Sequence, residues 1–273
     1  MGTKVKKSKS TARKDPLLPQ TRQNVDATGG SARCGACSRF ILLLLPILGC
    51  ACVLGSLYLL IYSLGIQITD TSISQCLCDY SPKVEVLVLI FIGATLMSIV
   101  TAMRNIQINV YHRRQKSESR TMRFLNLIAA IANIAAYVGF VLLALFDIDE
   151  PGQAPQIHYI GAYMYFGLSG LYGVLHIFLL CKQTHYPMFV KILFTLVPLT
   201  TIACTIIYAV KPEENIAFEW FSVALAAIYV GLFSILFLVD SVDDELRDFF
   251  CCRRGNRGRE SRNSPSKKPP RLT

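Results

Sequence analysis

Six uncharged apolar stretches constrain this sequence more than any other feature. Each approaches the roughly twenty residues that a helix needs to cross the hydrocarbon of a bilayer, and none contains Asp, Glu, Lys or Arg. In chain order they lie near residues 40–65, 86–103, 124–146, 157–181, 192–210 and 220–239. Charged residues make up only 17% of the chain, too few to cover a soluble globule of this length. The sequence therefore predicts an all-α, polytopic membrane protein, a bundle of six transmembrane helices.

The distribution of positive charge predicts the orientation of this bundle. The tails and the alternate loops on their side of the membrane hold 26 of the 28 Lys and Arg residues. The three remaining loops hold only Lys83 and Lys211, against nine acidic residues. Because Lys and Arg are retained on the cytosolic side, both termini are predicted to be cytosolic. We divide the chain into a disordered basic tail (1–39), a six-helix transmembrane domain (40–240) and a second disordered basic tail (241–273).

The first tail carries nine Lys and Arg residues against two acidic ones. One interpretation is a solvated tail, and the other is a polybasic patch attracted to anionic lipids of the cytoplasmic leaflet. The first apolar run starts only at Phe40, too late for a cleaved signal peptide, so the first helix is expected to be retained. Expected partners are membrane lipids, including anionic ones, and a protein bound through the cytosolic tails. Nucleic acid is not expected.

The ten cysteines fall into groups with different predicted roles. Four lie on the cytosolic side next to the membrane and are candidates for palmitoylation: Cys34, Cys37, Cys251 and Cys252. The CxxC formed by the first two lacks a second pair or a histidine, so no metal site is predicted. Cys76 and Cys78 lie in the first outer loop and are candidates for a disulfide, with each other or with a second chain.

The fourth apolar stretch, IHYIGAYMYFGLSGLYGVLHIFLL, carries His158 and His176. Eighteen residues make five helical turns and a rise of about 27 Å, so the two rings share one face at opposite ends. His158 is predicted to lie at the same depth as Glu219 and Trp220, where it would pair with the glutamate or hold a lipid headgroup. His176 is predicted to be an interfacial anchor.

Small residues recur along the same stretch and predict close approach of a neighbouring helix. They are Gly161, Gly167, Gly170 and Gly173. No motif of a hydrolase, metalloprotease or nucleotide-binding enzyme is present in the sequence, and no charged residue interrupts the apolar stretches. The chain is therefore predicted to have no catalytic residues and no cofactor, and not to be an enzyme.

The fourth stretch and the segment FEWFSVALAAIYVGLFSILFLVD resemble the damage-regulated autophagy modulator (DRAM) family, also called the Frag/DRAM/Sfk family. The resemblance covers Phe40 to Asp240 and depends on the order of several short motifs. These are His158 with Gly161 and Ala162, Phe166-Gly167, Leu171-Tyr172 and Glu219-Trp220. The family includes plasma-membrane proteins that assist phosphatidylinositol 4-kinase recruitment and the N-terminal part of a lipid-remodelling protein of GPI anchors.

The resemblance implies a six-span, non-enzymatic membrane protein of the endomembrane system, lysosomal or endosomal, or of the plasma membrane. It favours a modulator or scaffold in autophagy or in phosphoinositide and lipid regulation. A small-solute transporter or channel, and an intramembrane lipid-modifying protein, are the alternatives.

Overall fold

The computed structural model describes residues 29–79, 84–114, 120–146 and 152–239. These residues form eight α-helices and contain no strand. The helices are α1 (Gly29–Leu64), α2 (Ile73–Asp79), α3 (Val84–Arg114), α4 (Arg120–Leu145), α5 (Ala154–Cys181), α6 (Met188–Val210), α7 (Ile216–Gly231) and α8 (Phe233–Val239). The predicted all-α class is confirmed.

Six segments of these helices are long and apolar enough to cross a membrane, which confirms the predicted number of spans. They are Phe40–Leu64, Val84–His112, Arg120–Leu145, Ala154–Cys181, Met188–Val210 and Ile216–Val239. The last span consists of α7 and α8, which are separated at Leu232. Because successive spans run in opposite directions, the N-terminus of the first span and the C-terminus of the last lie at the same end of the bundle. We call this the tail end, and the opposite end, which carries α2, the loop end.

The domain boundaries and the cytosolic placement of both termini stay predictions. Helix α1 begins at Gly29, so its first residues fall within the segment predicted as the first tail. Residues 1–28 and 240–273 lie outside the part of the chain that the structure describes.

Large apolar side chains cover the outer surface of the bundle. Phe40, Tyr163 and Val210 are 63%, 78% and 72% exposed. On a water-soluble protein an apolar surface of this extent would promote association, whereas hydrocarbon solvates it. The helices also satisfy their own backbone hydrogen bonds, as a lipid environment requires.

The backbones of α4 and α5 come into direct contact at two glycines. A Cβ placed on Gly161 would lie 2.7 Å from the carbonyl oxygen of Gly139 and 2.7 Å from the amide nitrogen of Leu143. Side chains other than hydrogen would separate the helices at this point. The contact fixes the first turns of α5, where His158 lies three residues before Gly161.

The second span continues nine residues further toward the tail end than its uncharged stretch predicted. Helix α3 runs through Arg104 and ends at Arg114, and Arg104 is only 1% exposed. The uncharged stretch ends at residue 103, so the charge pattern alone leaves Arg104 outside the span, whereas the structure places it inside the spanning helix. Its guanidinium is held by hydrogen bonds inside the bundle, which allows a charged residue to lie within a spanning helix.

Candidate functional site

A chain of hydrogen bonds joins three helices at the loop end. His158 Nε2 lies 3.0 Å from Ser74 Oγ in α2, and Ser74 Oγ lies 3.4 Å from Glu219 Oε1 in α7. The other oxygen of Glu219 accepts the backbone N–H of Ile73 at 3.1 Å. His158 and Glu219 are each 2% exposed. We call Ser74, His158, Glu219 and Trp220 the loop-end cluster.

The structure brings His158 and Glu219 together through Ser74 and not as a direct pair. Among the described residues no ion pair links the two side chains. Because both are almost completely buried, their geometry favours a role between helices over contact with a lipid headgroup. Ser74 was not identified from the sequence, because a serine in a loop of that length gives no signal of which helices it will contact.

The partners of His158 define where its protons lie. Nδ1 is 2.8 Å from the carbonyl oxygen of Phe146, which can only accept, so Nδ1 carries a hydrogen. If Ser74 donates to the Glu219 carboxylate, Nε2 must donate to Ser74, and the imidazole is charged. If Ser74 instead donates to Nε2, the imidazole is neutral. The hydrogen bond between Ser74 and Glu219 then requires a protonated carboxyl that donates to Ser74 Oγ. In both arrangements the pair of His158 and Glu219 holds one proton in addition to the hydrogen on Nδ1, either on the imidazole or on the carboxyl.

Trp220 and Glu219 fasten the start of α2 to α7. The Trp220 indole N–H donates to the carbonyl oxygen of Thr71 at 2.9 Å. At the start of α2, Ser72 and Gln75 form a capping box, in which each side chain accepts the other residue's backbone N–H at 3.2 and 3.1 Å. The amide of Ile73, which this box leaves without an acceptor, is the one that Glu219 binds.

A second polar cluster surrounds Arg104 at the tail end. Its Nε donates to His176 Nε2 at 3.2 Å, and Nη1 donates to Gln107 Oε1 at 2.6 Å and to the Tyr186 hydroxyl at 3.0 Å. Nη2 donates to Gln183 Oε1 at 3.2 Å. These residues belong to α3, α5 and the connection between α5 and α6, so the guanidinium joins three parts of the chain. We call Arg104, Gln107, His176, Gln183 and Tyr186 the tail-end cluster.

The prediction that His176 is an interfacial anchor was wrong. The ring is 1% exposed and hydrogen-bonds the Tyr229 hydroxyl through Nδ1. Since the Nε of arginine always carries a hydrogen, His176 Nε2 must be an acceptor, and the imidazole is neutral in this arrangement. The two histidines do share one buried face of α5; His176 is neutral, whereas His158 is neutral or charged according to the direction in which Ser74 donates.

The sequence contains a signal for Arg104 that charge counting alone missed. Arg104 and Gln107 are three residues apart on α3 and therefore neighbours on one helical face. The apolar residues interspersed among them are Met103, Ile106, Ile108 and Val110. A charged residue with an amide one turn away, where apolar residues continue past it, is typical of a buried polar contact.

The four glycines of α5 occupy two kinds of environment. Gly161 and Gly173 lie at close helix contacts, because a Cβ on Gly173 would be 2.9 Å from Pro198 Cβ in α6. A Cβ on Gly170 would make an ordinary contact with Ile202 at 3.5 Å, and one on Gly167 would meet nothing within 4 Å. The predicted packing role therefore does not apply to Gly167, which faces open space.

The cysteine predictions are largely outside the described side chains. Cys34 and Cys37 lie in the first turns of α1, but their side chains are not described, and Cys251 and Cys252 follow the last described residue. Cys76 is buried in α2, whereas the side chain of Cys78 is not described. Palmitoylation and the disulfide stay predictions. Among the residues that the structure describes, no group of three or more His, Cys, Asp or Glu is placed to hold a metal ion.

Comparison with known families matches residues 37–238 to the Frag1/DRAM/Sfk1/Cwh43P N-terminal domain. The match covers all six spans apart from the last residue of the sixth, and it includes both polar clusters. The chain has no significant match among curated protein sequences or among solved structures. The predicted family is confirmed, and the chain is a multi-pass membrane protein that belongs to the Frag1/DRAM/Sfk1/Cwh43P N-terminal domain family.

Proposed function

We propose that this chain is a non-enzymatic membrane modulator or scaffold of the endomembrane system, lysosomal or endosomal, or of the plasma membrane. In this proposal it acts in autophagy or in phosphoinositide and lipid regulation. The transmembrane bundle positions two basic cytosolic tails at the membrane surface, where they contact anionic lipids and a protein partner.

The observation that carries this proposal is how the fold uses its buried polar groups. Both ring nitrogens of His158 and both carboxylate oxygens of Glu219 are engaged in joining α2, α5 and α7. At the tail end, Arg104 is likewise engaged with three parts of the chain. Groups committed to holding helices together support an architectural role for both clusters, and the proposal assigns the regulatory activity to the tails.

One contact favours the lipid-modifying alternative. Ser74 Oγ and His158 Nε2 are 3.0 Å apart, within the distance at which a histidine activates a serine nucleophile. Phe146 orients the ring from the other nitrogen, as a third group does in a catalytic triad. Ser74 is, however, 8% exposed and also bonded to Glu219, so a substrate would have to displace α2 to reach it.

A fluorophosphonate probe separates these two functions on the purified full-length protein. The proposal predicts no labelling of Ser74 in bilayers that contain cellular phospholipids. Labelling that disappears in Ser74→Ala and persists in Ser72→Ala would show an activated serine and overturn the non-enzymatic proposal.

Cells that lack the protein test the regulatory role. We expect the wild-type chain to restore autophagic flux or the level of plasma-membrane phosphatidylinositol 4-phosphate. A variant with the Lys and Arg residues of 4–14 replaced by Gln should reach the membrane without restoring either quantity. Replacement of Lys211, an exposed cation at the loop end, by Gln is the control. Full rescue by the tail variant, or solute flux through vesicles that contain the purified protein, would contradict the proposal.

A further inference from the structure

A groove of about 300 Å³ lies between α5, α6 and α7. Gly167 and Gly170 of α5, Ile202 and Thr205 of α6 and Ala226 of α7 contribute to its walls. No charged residue contributes to the lining. Gly170 lies about 24 Å along α5 from Ala154, so the groove is near the middle of the spanning helix.

The groove opens toward the lipid-facing surface of the bundle. Leu171, Val174 and Ile206 contribute to its lining and are 43%, 52% and 57% exposed. In a membrane, the molecules that contact this surface are lipids, so the occupant of the groove must enter from the hydrocarbon. Its apolar lining favours the hydrophobic part of such a lipid.

Glycine at position 167 is explained by the groove and not by helix packing. A glycine inside a helix costs about 1 kcal/mol relative to alanine. At Gly161 and Gly173 this cost is offset by close backbone approach, whereas a Cβ on Gly167 would meet no atom within 4 Å. A methyl group at position 167 would therefore fit sterically, and a larger side chain there would reduce the space available in the groove.

The groove continues as a narrow extension of about 20 Å³. The two spaces share Ser169, Gly170 and Thr201, and the extension is also lined by Asn133 and Tyr172. The Tyr172 hydroxyl is buried and has no hydrogen-bond partner among the described residues. A buried hydroxyl without a partner is unfavourable, and the extension is large enough for one small polar group.

We propose that this groove binds a neutral membrane lipid whose apolar body fills the space beside Gly167 and whose single hydroxyl group hydrogen-bonds Tyr172. The absence of charge from the lining excludes a phosphate headgroup as the favoured ligand, because a charged group at this depth would be desolvated without a counter-charge. Sterols and diacylglycerols both combine an apolar body with one hydroxyl. This inference does not depend on the proposed regulatory role of the tails.

Photoaffinity labelling of the full-length protein in nanodiscs tests the proposal with two probes, a photoactivatable sterol and a photoactivatable diacylglycerol. At least one should label peptides of α5, α6 or α7 that line the groove, and an excess of the same lipid without the photoactivatable group should prevent it. Labelling of wild-type protein by neither probe at the groove would overturn the proposal.

Two variants distinguish the groove from general lipid contact. Gly167→Leu should reduce specific labelling about tenfold, while Ala51→Leu, at a lipid-exposed position of α1, should leave it unchanged. If Gly167→Leu fails to fold, Gly170→Ala provides the same test, because its new Cβ makes only an ordinary contact. Labelling at the wild-type level in a folded groove variant would overturn the proposal.

The hydroxyl contact is tested by Tyr172→Phe and by a methyl ether of the bound probe. Each change alone should weaken binding about three- to tenfold, and the ether should bind wild type and Tyr172→Phe equally, since both changes remove one hydrogen bond. Tyr163→Phe, an exposed tyrosine on the same helix, is the control. Unchanged binding of the hydroxyl probe to Tyr172→Phe would overturn the assignment of Tyr172.

Discussion

The loop-end cluster predicts that His158 and Glu219 are energetically coupled, and that the coupling passes through Ser74. His158→Ala removes the bonds to the Phe146 carbonyl and to Ser74. We expect a loss of about 2–4 kcal/mol in the free energy of unfolding, from two hydrogen bonds and a carbonyl left buried. Glu219→Gln keeps an acceptor for Ile73 but replaces the other carboxyl oxygen with an amide nitrogen, and we expect a loss of about 1–3 kcal/mol.

The double variant should be more stable than the sum of these losses predicts. We expect a coupling energy of about 0.5–1.5 kcal/mol, since contacting residues couple at this scale and hydrogen bonds between membrane helices rarely exceed it. In a Ser74→Ala background the coupling should fall below about 0.3 kcal/mol. The reason is that Ser74 Oγ supplies the contact between the two side chains.

Reversible unfolding in mixed detergent micelles measures these energies. Trp220 is the single tryptophan of the chain and lies in the cluster, so its fluorescence reports unfolding at this site. The control is His158→Ala combined with His176→Ala, whose rings are about 27 Å apart along α5 and whose effects should add. Additive losses for His158→Ala and Glu219→Gln, or coupling that survives Ser74→Ala, would refute the proposed connection.

Three further predictions follow from other contacts. Arg104→Met should lower the free energy of unfolding by about 3–5 kcal/mol. Arg104→Lys should recover only part of this loss, because an ammonium cannot reproduce the guanidinium's separate donors. Chemical unfolding measures the stability of both variants. Gly161→Ala should cost about 1–3 kcal/mol, because its Cβ would lie 2.7 Å from the Gly139 carbonyl oxygen; an unchanged unfolding midpoint would contradict the close contact. Trp220→Phe should lose about 1 kcal/mol with the Thr71 bond and increase proteolysis of the loop that precedes α2; equal cleavage of variant and wild type would oppose this role.

The six spans were predictable because a bilayer imposes a simple requirement on each helix. About twenty apolar residues without charge suffice to identify a span, and all six were found in this way. The end of the second span was not predictable, because a charged residue such as Arg104 indicates the end of a span when its hydrogen-bond partners are unknown. Two of those partners, His176 and Gln183, are more than seventy positions away in the sequence.

The candidate site was predictable only in part for a related reason. The spacing of His158 and His176 correctly placed both rings on one face, and the common depth of His158 and Glu219 correctly placed them at one end. Their connection depends on Ser74, whose position is set by the path of the loop after α1. Helical periodicity does not specify such a path, and it equally gave no means to separate the packed Gly173 from the open Gly167.

The orientation of the bundle decides whether the basic tails can act on cytosolic partners and lipids. Epitope tags at both termini, stained in intact cells, after permeabilisation of the plasma membrane alone and after permeabilisation of all membranes, measure it most directly. We expect both tags to be undetected in intact cells and fully accessible once the plasma membrane alone is opened, whichever compartment holds the protein. A tag detected on the outside of intact cells, or only after internal membranes are opened, would contradict a six-span protein with cytosolic tails.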